Sequence, residues 1–487
     1  MFQVKSLRRR QRYCNHPVTI TTIIRSDQTS LIRNLMLLIV SDLHLGDGTT
    51  ANSIPTSAFK LFAGRLQETV QFASWQQNGK YHPIEDVDIV LMGDIIDPLH
   101  STLWLDTMPG DVDYIRPWSD PTNPLYAAKL LAVTRAILEK NKSSLDILRD
   151  CANGEILKIA PANTKGLPDS KLKNRIPLKV RIHYMIGNHD WYYHLKGKAF
   201  DQIRQEIIDA IGLHNSASPF PYTLDEDPML KDLFARYKVY GLHGDYYDSF
   251  NFDREKGRDH GTIGDVFTMD VCNRFPIEVE RRYKDQLPVD LVNSLRKMAN
   301  IRPSLAIPLW ISGQIRAHVN STKFEREIKE VWDDIADEFL QLDYVREEDK
   351  AFKFDIVDAM QVIIKLAGQA SFSTIDDVVS WVHDKMWGGE HSFASHALRE
   401  PSFLNGSAQY IVYGHTHHHE IVPLDTLQNR QSQLYFNSGT WHSYFDLAIR
   451  NLKDQKFIPY QAITYLTFYK ENEHDGRSFE SWSGAYA

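Results

Sequence analysis

Cysteine is scarce: three residues in 487, Cys14, Cys151 and Cys272. They are odd in number and far apart. That excludes a disulfide framework and suits a reducing compartment, so a cytoplasmic location is expected. The same scarcity excludes zinc sites built on paired thiolates. Long apolar runs are missing too, with nothing near the roughly 18 uninterrupted residues of a membrane span. There is no repeat of fixed period and no low-complexity block. Positive charge does not dominate: the net charge is −8. This argues against a surface generally coated by nucleic acid, while leaving room for a local basic groove. What remains is ordinary globular stock, 43% hydrophobic and 24% charged, with length enough for a large core.

Residues 1–35 depart from the rest. Lys5, Arg8, Arg9, Arg10, Arg12, Arg25 and Arg33 face only Asp27. A basic start suits a signal peptide, but the Val18–Ile24 run is interrupted by threonines and no small-residue cleavage site follows. The expectation is a basic N-terminal extension, either a flexible arm or the product of a start placed upstream of Met36. Nucleic acid or an acidic lipid surface is the partner such an arm would meet.

From Met36 onward the chain repeats one design. The apolar run 36–40 ends in Ser41-Asp42-Leu43-His44. DVDIVL, residues 86–91, leads to Gly93-Asp94-Ile95-Ile96-Asp97. LKVRIHYMI, residues 178–186, leads to Gly187-Asn188-His189-Asp190. Tyr237–Leu242 leads to His243-Gly244-Asp245. Much later AQYIVY, residues 408–413, leads to Gly414-His415-Thr416-His417. Buried strands that each deliver a polar residue at the carboxyl end build a site where open α/β sheets bind ligands. Each piece alone is an ordinary turn or surface histidine in a chain with 20 of them. His418 and His419 extend the last run incidentally, and His183, His194, His260 and His391 read as structural or surface residues.

Apolar spacing predicts helices over Phe59–Trp75, Tyr126–Leu148 and Phe200–Ile211. The Trp-, Pro- and Asp-rich segment His100–Pro124 reads as a rim or lid. Residues 251–405 break the strand-end pattern and read as a helical insertion, or cap. Its helices are Val289–Met298, Phe324–Leu340, Phe352–Leu366 with Gly368 as stop, and Val378–Trp387 after the capping box Ser373-Thr374-Ile375-Asp376. Residues 325–350 hold eleven Asp/Glu against four Lys/Arg, which reads as a solvated helix face. Further strands are expected at Leu434–Phe436, Ala462–Tyr469 and Ser478–Trp482. The chain thus divides into the extension 1–35, a core in two parts, 36–250 and 406–487, and the insertion 251–405.

The strand ends together offer Asp42, His44, Asp94, Asn188, His243, His415 and His417. Mixed oxygen and nitrogen donors without thiolate favour a catalytic metal site over a structural one. Seven donors exceed what one ion with an open position needs, so two ions are expected, with Asp94 as the bridging carboxylate. Two ions about 3.5–4 Å apart hold a hydroxide and grip a phosphoryl oxygen. His189 then faces the leaving oxygen as general acid. Asp97 orients it and favours its protonated form.

The blocks D-x-H at 42–44, G-D-x-x-D at 93–97, G-N-H-D at 187–190, H-G-D at 243–245 and G-H-T-H at 414–417 resemble the calcineurin-like metallophosphoesterase superfamily. All five occur in that family's order. The resemblance implies an α/β fold, a β-sandwich flanked by helices, here with a large helical insertion. It implies one metal on Asp42, His44, Asp94 and His417 and another on Asp94, Asn188, His243 and His415. His189 would be the proton donor, beside Asp97. The family uses manganese, iron, zinc or related divalent ions, and manganese is the expectation here. The implied activity is hydrolysis of a phosphomonoester, phosphodiester or pyrophosphate by in-line attack of a metal-bound hydroxide. The fourth block, HGDYYDSFNFD, resembles the bacterial branch that includes UDP-diacylglucosamine pyrophosphohydrolases. A small-molecule or lipid-linked phosphoester is therefore the expected substrate. Arg254, Lys256, Arg258 and His260 follow that block, and Arg254 and Arg258 are the candidates to bind substrate phosphate. The alternatives are a nuclease of the same superfamily and a scaffold whose helical insertion recruits a partner. The acidic insertion offers the nuclease no basic groove, and the intact ligand set opposes a scaffold.

Overall fold

The computed structural model describes residues 35–50, 53–169, 171–283, 286–302, 307–318, 321–346, 393–427, 430–447 and 457–485, all within one compact unit, Asn34–Ala487. The basic residues 1–34 and the helices expected at Phe352–Leu366 and Val378–Trp387 lie outside the described residues, as does His391.

The protein is mixed α/β. Its strands are β1 (Leu35–Val40), β2 (Asp86–Met92), β3 (Lys158–Ile159), β4 (Ile176–Pro177), β5 (Lys179–Met185), β6 (Val239–Gly241) and β7 (Ile301–Arg302). Then come β8 (Tyr410–Tyr413), β9 (Glu420–Thr426), β10 (Ser432–Asn437), β11 (Ser443–Leu447), β12 (Phe457–Phe468) and β13 (Phe479–Ala485). A seven-stranded sheet runs β5-β2-β1-β12-β11-β7, with β13 also on β12. A four-stranded sheet runs β6-β8-β10-β9, and β3 and β4 form a small hairpin pair.

Strand β1 shows why the sheet forms. All six of its residues are buried. Because successive side chains point to opposite faces, Met36, Leu38 and Val40 join one apolar cluster while Leu35, Leu37 and Ile39 join another. The first cluster contains apolar faces of helices α1 (Thr56–Ala73), α2 (Pro124–Lys140), α3 (Lys142–Ala152) and α4 (Lys198–Ile211). The second unites Leu37, Ile39, Val90, Met92 and Met185 with Val239, Tyr410, Val412 and Phe436 of the four-stranded sheet. It also takes in Leu230, Leu233 and Phe234 of helix α5 (Pro228–Arg236). A continuous apolar run, not an alternating one, is the signature of strands covered on both faces.

β1, β2 and β5 are mutually parallel, and so are β6, β8 and β10. Parallel pairing brings each set of carboxyl ends, the loops singled out from sequence, to one edge. The two edges meet: the His415 N–H donates to both Asp42 carboxylate oxygens at 3.2 Å, and Thr440 Oγ1 donates to the Asp42 carbonyl at 2.7 Å.

The helix expected over Tyr126–Leu148 is two helices. They part at Asn141, whose side-chain amide donates to the carbonyls of Gly46 and Ile137, both at 2.8 Å. The segment 100–124 is packed. Trp104 is buried, and the Arg116 guanidinium donates to the carbonyls of Trp104, Thr107 and Ile115. The described part of the insertion has its own apolar cluster, from Ile263 to Val345. It is stitched to the core through β7, which pairs with β11, and through Trp310, whose ring lies 4.7 Å from that of Phe445. Among the described residues no helix is long and apolar enough to cross a membrane.

Candidate metal centre

Five of the residues expected to ligate, Asp42, His44, Asp94, His415 and His417, have left-handed backbones, with φ of 55°, 46°, 56°, 68° and 64°. Side-chain-bearing residues adopt this region at a cost of roughly 1–2 kcal/mol each. Such strain gathers at functional sites and persists where the surroundings enforce it. Here the enforcement is visible in the backbone ladder. Asp42 N–H donates to the Gly93 carbonyl at 3.0 Å, Gly93 N–H to Met185 at 2.9 Å, and Gly414 N–H to His243 at 2.7 Å. Gly93, at φ +87°, can carry no side chain, because a Cβ would strike the His243 ring and the Gly187 nitrogen.

The turns bring the donor atoms together in two groups. In the first, His44 Nε2 and His417 Nε2 are 3.0 Å apart, and His417 Nε2 lies 3.4 Å from Asp42 Oδ1. In the second, His243 Nε2 lies 3.2 Å from Asn188 Oδ1, which is 3.0 Å from His415 Nδ1. Asp94 Oδ2 stands between the groups, 3.7 Å from His44 Nε2 and 3.2 Å from His243 Nε2. Donors about 2.1 Å from a common ion are spaced roughly 3.0–3.4 Å apart. Asp94 Oδ1 accepts the His189 backbone N–H at 2.8 Å.

The nitrogens turned away from these groups are held by acceptors. His44 Nδ1 meets Asp97 Oδ2 at 2.8 Å, His243 Nδ1 the Met92 carbonyl at 3.1 Å, and His415 Nε2 Asp248 Oδ2 at 2.9 Å. A proton on each outward nitrogen leaves the inward one as a lone-pair donor, which is how ligating histidines are oriented. Burial opposes charge on His44 and His243, yet the surrounding carboxylates outweigh it and lift each to about 10: Asp42, Asp97 and Asp94 around His44, Asp94 and Asp42 around His243. Asp42 and Asp94 sit well below the usual carboxylate range despite burial, held there by the same imidazoles. Buried His and Asp groups spaced in this way could hold a metal ion. The donor chemistry, spacing and outward anchoring all fit metal binding.

His189 is beside the groups but not in them. Its Nδ1 meets Asp97 Oδ2 at 3.0 Å. Asp97 favours the protonated ring, as expected, but burial outweighs Asp97 and Asp94 and lowers its proton affinity, so the neutral ring is favoured. Asp190 accepts from Ile95 N, Gly187 N and the Tyr184 hydroxyl, tying the two central turns together. Burial and then Asp94 raise its carboxyl to about 7.

The two candidate phosphate-binding arginines separate. Arg254 is exposed, its guanidinium 4.7 Å from the centre of the Tyr246 ring. Arg258 is buried, paired with Asp245, sandwiched against Tyr222 and Phe252 at 4.0 and 4.5 Å, and 3.4 Å from the Gly187 carbonyl. It braces the Gly187–Asp190 turn. His183 pairs with Asp88 at 2.9 Å and His194 with Asp259 at 2.5 Å, as structural residues do. Sequence reasoning missed His100 and Asp248. His100 sits one turn beyond Asp97, a spacing that carries a signal. Asp248 carries none, since its partner His415 lies 167 residues away.

No protein-family model matches the chain, and no curated protein matches it.

Proposed function

We propose that the protein is a dinuclear-metal-dependent phosphoesterase of the calcineurin-like metallophosphoesterase type. On this reading the two sheets that share the apolar layer of Leu37, Val90, Val412 and Phe436 are that family's β-sandwich, and the helical segment beginning near residue 251 is a cap. The observation that carries the reading is the convergence of Asp42, His44, Asp94, Asn188, His243, His415 and His417, with outward nitrogens of His44, His243 and His415 anchored on acceptors. Asp42, His44, Asp94 and His417 would hold one ion, and Asp94, Asn188, His243 and His415 the other, with manganese the favoured metal. Bound there, two divalent ions supply Lewis acidity toward a phosphoryl oxygen and a water that ionises near neutral pH.

The chain's own residues do the rest. Asp94 Oδ2 fixes the separation of the two donor groups. Asp97 holds His189 by Nδ1, which leaves Nε2 to exchange a proton with the leaving oxygen. The neutral ring favoured by burial becomes a stronger base when a phosphate anion arrives beside it, so the substrate itself arms His189 as an acid. Asp248 fixes the His415 tautomer. The substrate is proposed to be a small or lipid-linked phosphoester.

The test is turnover, with added manganese, zinc or iron, of p-nitrophenyl phosphate, bis-p-nitrophenyl phosphate, cyclic nucleotides, nucleotide-sugar pyrophosphates and single-stranded DNA. Metal-dependent hydrolysis of any small ester supports the reading. Cleavage of DNA alone makes the protein a nuclease, and no turnover together with no bound metal makes it a scaffold.

A further inference from the structure

Asp97 Oδ2 is shared by three imidazoles. Besides His44 and His189, His100 Nδ1 lies 2.6 Å from it, the shortest of the three contacts. The His100 backbone N–H also donates to the other oxygen, Asp97 Oδ1, at 3.1 Å. His100 therefore grips both oxygens of a fully buried carboxylate and fixes its rotation. Its ring is also nearly parallel to that of His189, with centroids 5.3 Å apart and an interplanar angle of 23°. The His189 ring also meets His44 edge-on, at 4.6 Å and 89°. The backbone of His100 is pinned in turn, because Thr50 Oγ1 donates to its carbonyl at 3.1 Å. All three Nδ1 atoms lie within hydrogen-bond distance of this one carboxylate oxygen.

We propose that His100 is a positioning residue for His189. By clamping Asp97 and packing flat on the His189 ring, it sets the direction in which His189 Nε2 faces the metal centre. This rests on the phosphoesterase reading for its kinetic consequence, though not for its structural one. A ring that touches a stacked neighbour and an edge-on neighbour, with Nδ1 tied to an immobile oxygen, keeps one orientation. Free that oxygen to rotate, by removing the His100 donor, and the ring gains a second. Misplacing a proton-transfer group by about an ångström costs up to roughly a hundredfold in rate.

Two variants divide the contributions. His100→Phe keeps a ring to stack and removes the donor to Asp97. His100→Asn removes the ring, and its amide nitrogen replaces the Nδ1 donor. The expected result for His100→Phe is a kcat lower by about tenfold or more, with KM, bound metal and melting temperature within about twofold or a few degrees of the parent. His100→Asn should recover most of that loss. A kcat for His100→Phe equal to the parent's overturns the proposal. A kcat loss matched by loss of metal also overturns it, making His100 a support of the His44 side of the centre instead. If the parent hydrolyses no phosphoester, the functional reading fails. The positioning claim is then decided separately by proton NMR of the metal-free protein. A slowly exchanging His189 Nδ1–H resonance that is lost in His100→Phe and kept in His100→Asn supports it. A resonance unchanged in both overturns it.

Discussion

At Asp94 one carboxylate oxygen takes a backbone N–H and the other faces the imidazoles of both donor groups. Asp94→Asn keeps the shape but removes the charge that the two ions of the proposed centre would share. Metal content by elemental analysis should fall, and turnover should drop by more than about a hundredfold. His189→Ala should lower turnover by roughly 10²–10⁴ and leave the metal content intact; loss of both ions there would make His189 a ligand. Arg258 is a different case. Its buried guanidinium neutralises the buried Asp245, so Arg258→Ala strands a carboxylate in the interior. Urea unfolding should show a loss of about 3–5 kcal/mol. A raised KM at unchanged stability would instead restore the phosphate-binding role expected from its position after the fourth block.

The elements that hold the site are short turns between long buried strands. Gly93→Ala tests one of them: the added Cβ meets the His243 ring at a φ of +87°. Crowding a ligand should lower metal affinity as well as stability, by about 1–3 kcal/mol for the latter. Wild-type-like affinity would mean that the turn yields. These strand ends were legible because each largely buried strand closes on an apolar stretch, and the polar residues that follow it stand out. Other elements were not. β9 carries Pro423 and is mostly exposed or half-buried, so it shows neither an apolar run nor a clean alternation. Helix α5 is nine residues long, opened by the Asp227 cap and Pro228, too short for its period to register. The helical stretch from Ile263 to Tyr283 contains a π-helical segment, Phe267–Asn273, which disturbs the 3.6-residue spacing. At the site, the seven expected ligands were readable because they follow the ends of five strands. His100 and Asp248 take their meaning from partners that only folding supplies.

For the whole molecule, pH dependence follows from pairs distant from the donor groups. Burial opposes charge on His194, but Asp259 and Glu226 outweigh it and raise the ring to about 9. A raised histidine stabilises fully below its unfolded value, about 6.5, and that stability is lost as pH rises through 9. Burial likewise opposes charge on Asp88, but Arg181 and His183 outweigh it and hold it at about 2. Its contribution is present above about 4 and lost as pH falls through 2. Stability should therefore decline between pH 6.5 and 9, by on the order of 1–3 kcal/mol from His194. Chemical denaturation across that range should show a shallower decline in His194→Gln. An equal slope in both proteins would assign the alkaline loss to other groups.

The central claim is that the five strand-end loops close around two ions. It is tested most directly by metal stoichiometry. The purified full chain is stripped with chelator, reconstituted with manganese, freed of excess metal and analysed for metal per protein, beside Asp94→Asn. The account predicts two ions per chain in the parent, fewer in the variant, and a higher melting temperature on reconstitution. A parent that retains no ion, or one ion that Asp94→Asn retains equally, would contradict it.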